Sequence, residues 1–423
     1  MAMSSSGRPP TLDVSRVKAD FPLLSKVEVA GRPIVYLDSA SSSQKPRAVI
    51  EAMDEFMETT YANVHRGVYG IAAEATDRYE AARAKVARFV GAPSSTGIVF
   101  AKNVTEVMNL VAHSWGRANL AEGDVVVLSE IEHHANLVPW LMLREERGIE
   151  LRFIPMADDY TLDLSGLDAL LDGARLLGVT AMSNVLGTLT PVRQLADAAH
   201  AAGALCLVDG AQYVPHLPTD VTELGCDFFG FTGHKMLGPT GIGVLWAREE
   251  LLESMPAFLG GGEMIRDVRL DGWTPNDPPW KFEAGTPPIV EVIGLSAAID
   301  YLEDLGMATV REHELELSAY ALRTLAERFG DELVLQGPSD ADDPSGRGGV
   351  FSFSYRDVHP HDVSQVLDER GVCVRAGHHC AKPLMRRLGV GATARASIYV
   401  YNDQSDIDAL ADALEAAGEF FSL

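Results

Sequence analysis

Hydrophobic positions in this chain follow two rhythms. From Ile98 onward, short unbroken apolar runs alternate with stretches whose apolar residues recur every three or four positions. Ile98-Val99-Phe100, Asp124 to Leu128, Glu150 to Ile154, Leu176 to Met182 and Ala204 to Val208 read as strands buried on both faces. Between them, Val107 to Trp115, Leu137 to Arg147 and Pro191 to Ala202 have helical spacing. A further apolar stretch, Gly225 to Gly230, leads into the glycine-rich segment Phe231 to Gly243. Such alternation predicts an α/β fold, a mainly parallel sheet covered by helices on both faces.

The flanks read differently. Thr11 to Pro22 (with Thr11 or Asp13 as cap), Pro46 to Tyr61 and Glu74 to Val90 predict helices. Ile34 to Asp38 predicts a strand that runs into the small-residue turn Ser39-Ala40-Ser41-Ser42-Ser43. Leu259 to Pro288 is rich in glycine and proline and predicts a long loop, a kind of segment more often functional than idle. Ile289 to Leu305 predicts a helix closing a large domain. Beyond it, the helix Val310 to Phe329, the strand Val350 to Tyr355 and the helix Pro360 to Arg370 are followed by the loop Arg375 to Lys382. A strand over Arg395 to Tyr401 and a helix from Gln404 complete a smaller α+β unit. The expected organisation is a tail and helix over 1–30 that packs with the small domain, a large domain over 31–305 and a small domain over 306–423.

Composition narrows the partners. With 35 basic and 60 acidic residues the net charge is −25, which argues against nucleic acid or an anionic membrane as partner. No apolar run reaches membrane length. Met1 to Pro10 is small and polar without an apolar core, which predicts a disordered tail in place of a signal peptide and a cytoplasmic protein. The 4 cysteines form no Cys-x-x-Cys pair, so neither a disulfide scaffold nor a structural zinc site is expected. Cys206 and Cys226 read as core and Cys373 as strand packing.

The candidate chemistry collects at strand ends. Thr105, His133, Asn184, Asp209 and Lys235 each fall just after a predicted strand, where ligands sit in open α/β sheets. A desolvated lysine that has lost its charge can condense with an aldehyde. Pyridoxal phosphate would add a pyridine nitrogen that needs a carboxylate, which Asp209 offers, and a ring oxygen within reach of a donor such as Gln212. His133 would lie flat on the ring. The phosphate would take the start of a helix together with Thr105, Thr232 and His234. Gly377-His378-His379-Cys380 offers a metal reading, but adjacent histidines point apart and no remote ligand pair accompanies them, so no metal is expected.

Asp209-Gly210-Ala211-Gln212 with Thr232-Gly233-His234-Lys235 resembles the class V aminotransferase family of fold-type I pyridoxal-phosphate enzymes. Arg375-Ala376-Gly377-His378-His379-Cys380-Ala381 is similar to the second group of cysteine desulfurases, the SUF-system type (SufS). The likeness extends through Glu132-His133-His134-Ala135-Asn136, Asn184-Val185-Leu186-Gly187-Thr188, Phe282-Glu283-Ala284-Gly285-Thr286-Pro287 and Ala394-Arg395-Ala396-Ser397, nearly the whole chain. It implies an aspartate-aminotransferase-like fold and a homodimer. Lys235 would bond the cofactor and move protons, while Asp209, Gln212 and His133 hold its ring. Thr105, Thr232 and His234 would hold its phosphate, joined by Thr286 from a second subunit. Asn184, Arg375 and Arg395 would bind the carboxylate of L-cysteine. Cys380 would take sulfur as a persulfide, releasing alanine and passing the sulfur to a SufE- or SufU-type acceptor for iron–sulfur cluster assembly. Arg375, His378 and His379 would favour its thiolate. Thr232 stands where the family more often has serine, which keeps the hydroxyl. The same scaffold also serves selenocysteine lyases and other class V aminotransferases or lyases, and these are the rival expectations.

Overall fold

The computed structural model describes residues 11–29 and 31–421. The expectation for the Met1 to Pro10 tail lies outside them. Seven strands form the main sheet: β1 (Ile98–Ala101), β2 (Val125–Ser129), β3 (Glu150–Ile154), β4 (Ala174–Thr180), β5 (Leu205–Asp209), β6 (Phe228–Thr232) and β7 (Gly243–Ala247). Their spatial order is β1-β7-β6-β5-β4-β2-β3. β2, β3, β4, β5 and β6 pair in parallel, and β7 runs antiparallel to both β1 and β6. All strands except β7 therefore point one way.

Alternate residues of each strand enter different cores. Phe100, Val127, Val208, Phe229 and Val244 join one apolar cluster with the helices Arg47–Thr59, Gly70–Phe89 and Ile289–Leu305. Val99, Val126, Leu207, Phe228 and Leu245 join the other, with the helices Val104–Leu110 and Val138–Arg147. Burial on both faces is why these strands read as continuous apolar runs. Two glycines let the helix Val104–Leu110 lie close to the sheet. A Cβ on Gly230 would come within 2.8 Å of Val107, and one on Gly243 within 2.5 Å of the Asn103 backbone.

A second sheet, β8 (Leu333–Gln336), β9 (Val350–Tyr355), β10 (Arg375–Gly377) and β11 (Thr393–Ser397), is antiparallel in the order β8-β9-β11-β10. The helices Met307–Phe329, Pro360–Asp368 and Gln404–Phe421 cover it around a core of its own. Val35–Tyr36 pairs in parallel with Val372–Cys373, and Leu37 enters this same core, so the chain touches this layer before it builds the large sheet.

The expected loop Arg375 to Lys382 opens with strand β10, strands β7 and β8 were not expected, and four further elements differ from expectation. Thr11 to Pro22 is two helices, Val14–Ala19 and Pro22–Lys26, because Pro22 bars Phe21 from helical geometry; Asp13 caps the first through Arg16 N at 3.1 Å. Leu259 to Pro288 is no plain loop: it holds the hairpin Ile265–Arg269 with Gly272–Pro275, nearly all exposed on both sides and therefore without alternation to read. The helix expected from Val107 starts at Val104, behind an Asn103 cap. The last strand ends at Ser397, since Tyr399 and Tyr401 leave the sheet to pack their rings with Phe21 and one another.

Candidate active site

Beyond the carboxyl ends of the parallel strands lies a cavity of about 280 Å³. Thr105, His133, Asn184, Thr232, His234 and Lys235 line it from the large sheet, and Arg375, Cys380 and Arg395 from the small one. Ala40, Ser41, Asn103 and His379 also line it; none of these was singled out as a cofactor or substrate contact from sequence. Asp209 and Gln212 are buried at the adjoining end of β5 and the turn after it.

Lys235 closes a short 3-10 turn, Gly233–Lys235, directly after β6. One carbonyl pins this turn: His234 O accepts from Ser43 N and Lys45 Nζ, both at 3.0 Å, and from Ser42 Oγ and Ser43 Oγ, both at 3.2 Å. Burial pushes the Lys235 amine down to about 8, with Arg395 acting in the same direction and Asp209 and Cys380 against it. Lys45 is pushed to about 8 by burial as well. Position alone, at the end of a serine turn, was the only sequence signal for Lys45.

Asp209 ends β5 opposite Thr180 on one side and Gly230 on the other. Its Oδ1 accepts from Ala211 N at 2.9 Å, and its Oδ2 has no hydrogen-bond partner among the described residues. Burial raises its pKa, offset by the Ala211 N–H and by Lys235. Gln212 donates from Nε2 to Ala40 O at 2.7 Å, while its buried Oε1 has no partner among the described residues. One Nε2 hydrogen remains for a ring oxygen, and the orphaned Oε1 calls for a hydroxyl donor. His133 Nδ1 accepts from Ala135 N at 3.0 Å, so the neutral ring carries its proton on Nε2. Burial and the nearby Lys235 hold this imidazole down to about 3. The preceding residue, buried Glu132, accepts from Ser129 Oγ, Thr180 N and Asn136 Nδ2 and is raised to about 7 by burial.

Arg375 and Arg395 face each other across β10 and β11 and share one carboxylate. Asp38 lies 3.2 Å from Arg375 and 3.3 Å from Arg395, which leaves one uncompensated positive charge at the cavity wall. Arg395 is buried, donates to Asn184 O at 2.9 Å and Ser41 Oγ at 2.6 Å, and keeps a buried Nε with no partner among the described residues. Desolvation lowers it only to about 10, so it stays charged at neutral pH. Asp38 was read from sequence only as the end of a strand; its distance from both arginines along the chain hid the pairing.

Cys380 is exposed on the loop after β10. His379 and Cys380 both have left-handed backbones, φ 49° and 54°, each costing roughly 1–2 kcal/mol in an L-residue. Asn184 Nδ2 holds His379 O at 2.7 Å. The His379 ring bonds Thr393 through Nε2 and is held near 3 by burial, so it stands neutral beside Cys380.

Residues 35–410 match the aminotransferase class-V family. The chain belongs to that family. It is similar to proteins named cysteine desulfurase from Klebsiella pneumoniae strain 342 (50% identity over 407 residues, 96% of this chain and 98% of that one) and Pectobacterium atrosepticum (48% over 404 residues, 95% and 97%). A solved cysteine desulfurase of Escherichia coli, in an S-sulfonic acid form, superposes with a TM-score of 0.89 at 40% identity and covers 97% of this chain and 100% of that one. The fold-type I architecture expected from sequence is thereby shown.

Class-V aminotransferases are pyridoxal-phosphate enzymes, and the donors of this cavity suit that group. Lys235 has a depressed pKa, Asp209 is a buried acid with an unpartnered oxygen, and Gln212 has an orphaned acceptor. Thr105 and the Asn103-capped start of a helix lie on the same wall. Thr286 lies elsewhere in the chain's own fold, exposed beside a separate cavity of about 320 Å³ with Lys102, Glu106 and Glu291.

Proposed function

We propose that this class-V enzyme is a pyridoxal-phosphate-dependent cysteine desulfurase. The observation that carries the proposal is Cys380, an exposed thiol sharing one cavity with Lys235 and the Arg375–Arg395 pair. When bound, the cofactor supplies an aldehyde for the substrate nitrogen and an electron-withdrawing ring that stabilises negative charge on the adjoining carbon. Lys235 would be the residue that holds the aldehyde carbon, and its free amine would carry the substrate's proton from Cα toward Cβ. Asp209 would keep a proton on the pyridine nitrogen, Gln212 would meet the ring oxygen, and neutral His133 would cover the ring. Thr105, Thr232 and His234 would hold the phosphate. Arg395 and Arg375 bind the substrate carboxylate with their spare positive charge, beside Asn184.

Cys380 then attacks the substrate sulfur. Its S–S bond forms as the Cβ–S bond breaks, and the released electron pair takes a proton at Cβ. The net change is L-cysteine plus Cys380 thiol to L-alanine plus Cys380 persulfide. The exposure of Cys380 supports onward transfer to an acceptor protein of SufE or SufU type for iron–sulfur assembly. Exposed Val268, Leu270 and Trp273 on the hairpin and Val68 and Ile71 near the helix Gly70–Phe89 support a homodimer, with Thr286 of each copy serving the other's phosphate. Among the described residues no helix is long and apolar enough to cross a membrane, and a cytoplasmic site of action is proposed. A large unit over 31–305 and a small one over 306–423 complete the proposal.

The test is alanine release from L-cysteine by the yellow holoprotein. Lys235→Ala is expected to lose both colour and activity. Cys380→Ala is expected to keep the colour and lose desulfuration by about a hundredfold or more. Full sulfur transfer to an acceptor by Cys380→Ala would overturn the persulfide role. Activity lost on cysteine but kept on selenocysteine marks a desulfurase that tolerates selenium.

A further inference from the structure

The Cys380 turn is clasped by a residue that does not line the cavity. His134 meets it twice. Its backbone N–H donates to Cys380 O at 2.8 Å, and its ring Nε2 accepts from Lys382 N at 3.0 Å. From within the loop, His378 Nδ1 accepts from Cys380 N at 3.1 Å, and the two imidazoles lie 5.8 Å apart. Lys382 N is the first amide of the helix Lys382–Arg387, whose own cap residue, Ala381, makes no side-chain capping bond. A helix start of this kind needs an acceptor for its free N–H groups, a role usually filled by a neighbouring serine or aspartate. His134 fills it from 248 residues away. Where that helix begins determines where Cys380, two residues upstream, sits, and both His379 and Cys380 must be held in left-handed geometry.

We propose that His134 is the positioning residue of Cys380: as a neutral acceptor it caps the Lys382–Arg387 helix and holds the left-handed turn that presents the thiol to the cavity, and protonation of its ring releases that turn. A protonated Nε2 would be an N–H facing an N–H. The groups facing the ring are His378 and Lys382 from the cysteine segment and His133, held neutral, from its own turn. Burial, then His378, then Lys382 disfavour a charge on His134, so the clasp persists to acid values below the usual histidine range.

The inference rests on Cys380 being the sulfur acceptor, and its test separates the two claims. Amide hydrogen exchange of the peptide spanning 377–385 is followed against pH in the holoprotein, alongside kcat and KM for cysteine. His134→Leu removes the acceptor and is expected to raise exchange and lower kcat roughly tenfold, the effect of one hydrogen bond, with KM and cofactor absorbance unchanged. His134→Gln places an oxygen near the Nε2 position without a titrating ring. It is expected to keep protection and turnover, and to lose the release of the loop that the native protein shows on acidification. Native-like exchange in His134→Leu, or a His134→Gln that behaves like His134→Leu, overturns the proposal. If His134→Leu does not fold, the pH dependence of His134→Gln against the native protein decides. Should no form release alanine from cysteine, the desulfurase reading fails while the exchange data still judge the clasp.

Discussion

Lys235 shows how burial sets up chemistry at a single residue. An ordinary lysine amine is charged at pH 7, with only about three neutral molecules in ten thousand. With its pKa lowered to about 8, Lys235 is neutral in roughly one molecule in ten. The sign follows from the group being a base: a depressed pKa favours the free amine, and the reactive fraction grows as pH rises until it saturates above 8. Capture of pyridoxal phosphate by the apoprotein, followed by absorbance, is expected to climb about tenfold per pH unit below 8 and then flatten. A rate that keeps climbing to pH 10 would mean that Lys235 is not desolvated. The lysine and its aspartate were legible from sequence because Asp209 ends a buried strand and Lys235 closes the turn directly after one. Asp38 and the clasp by His134 were not, because each acts on a partner hundreds of residues away and its local context is an ordinary turn.

At the level of elements, the segment Phe282-Glu283-Ala284-Gly285-Thr286-Pro287 depends on one ion pair. Arg83 donates to both oxygens of Glu283 at 2.6 and 2.9 Å, and Glu283 also accepts from Phe100 N at 2.7 Å. Both side chains are almost wholly buried, at 2% and 5% exposure. Glu283→Ala leaves Arg83 with Glu80 at 2.9 Å but strips it of both bonds to Glu283 and leaves the buried Phe100 N–H without an acceptor, so it is expected to destabilise the fold by about 1–3 kcal/mol in denaturant unfolding. A loss under about 1 kcal/mol would show that the pair is relieved by water. The parallel strands were legible because burial on both faces writes them as apolar runs. β7 was not, since an antiparallel neighbour needs only a short connection and its run merges with the glycine-rich turn before it. The hairpin at 265–275 escaped for the opposite reason: without a buried face, no rhythm distinguishes it from a loop.

The whole molecule raises the question of where Thr286 acts. In its own chain it stands at a different cavity from Lys235, and the Arg83–Glu283 pair anchors the segment that carries it. A proposed two-fold dimer would let the same segment of each copy reach the other's phosphate, as an isologous interface requires. Two inactive variants decide the matter. Lys235→Ala removes the reacting amine, and Thr286→Asp sets a negative charge against a phosphate. If Thr286 acts across the interface, a mixed dimer has one site carrying both lesions and one carrying neither. Equal mixing and subunit exchange should then restore about a quarter of the native activity from two preparations that have almost none. If Thr286 acts within its own chain, every site in every dimer retains one lesion and no activity returns. A mass tag on one variant, followed by native mass spectrometry, shows whether mixed dimers have formed, so that a mixture rich in them and still inactive rules out the shared site.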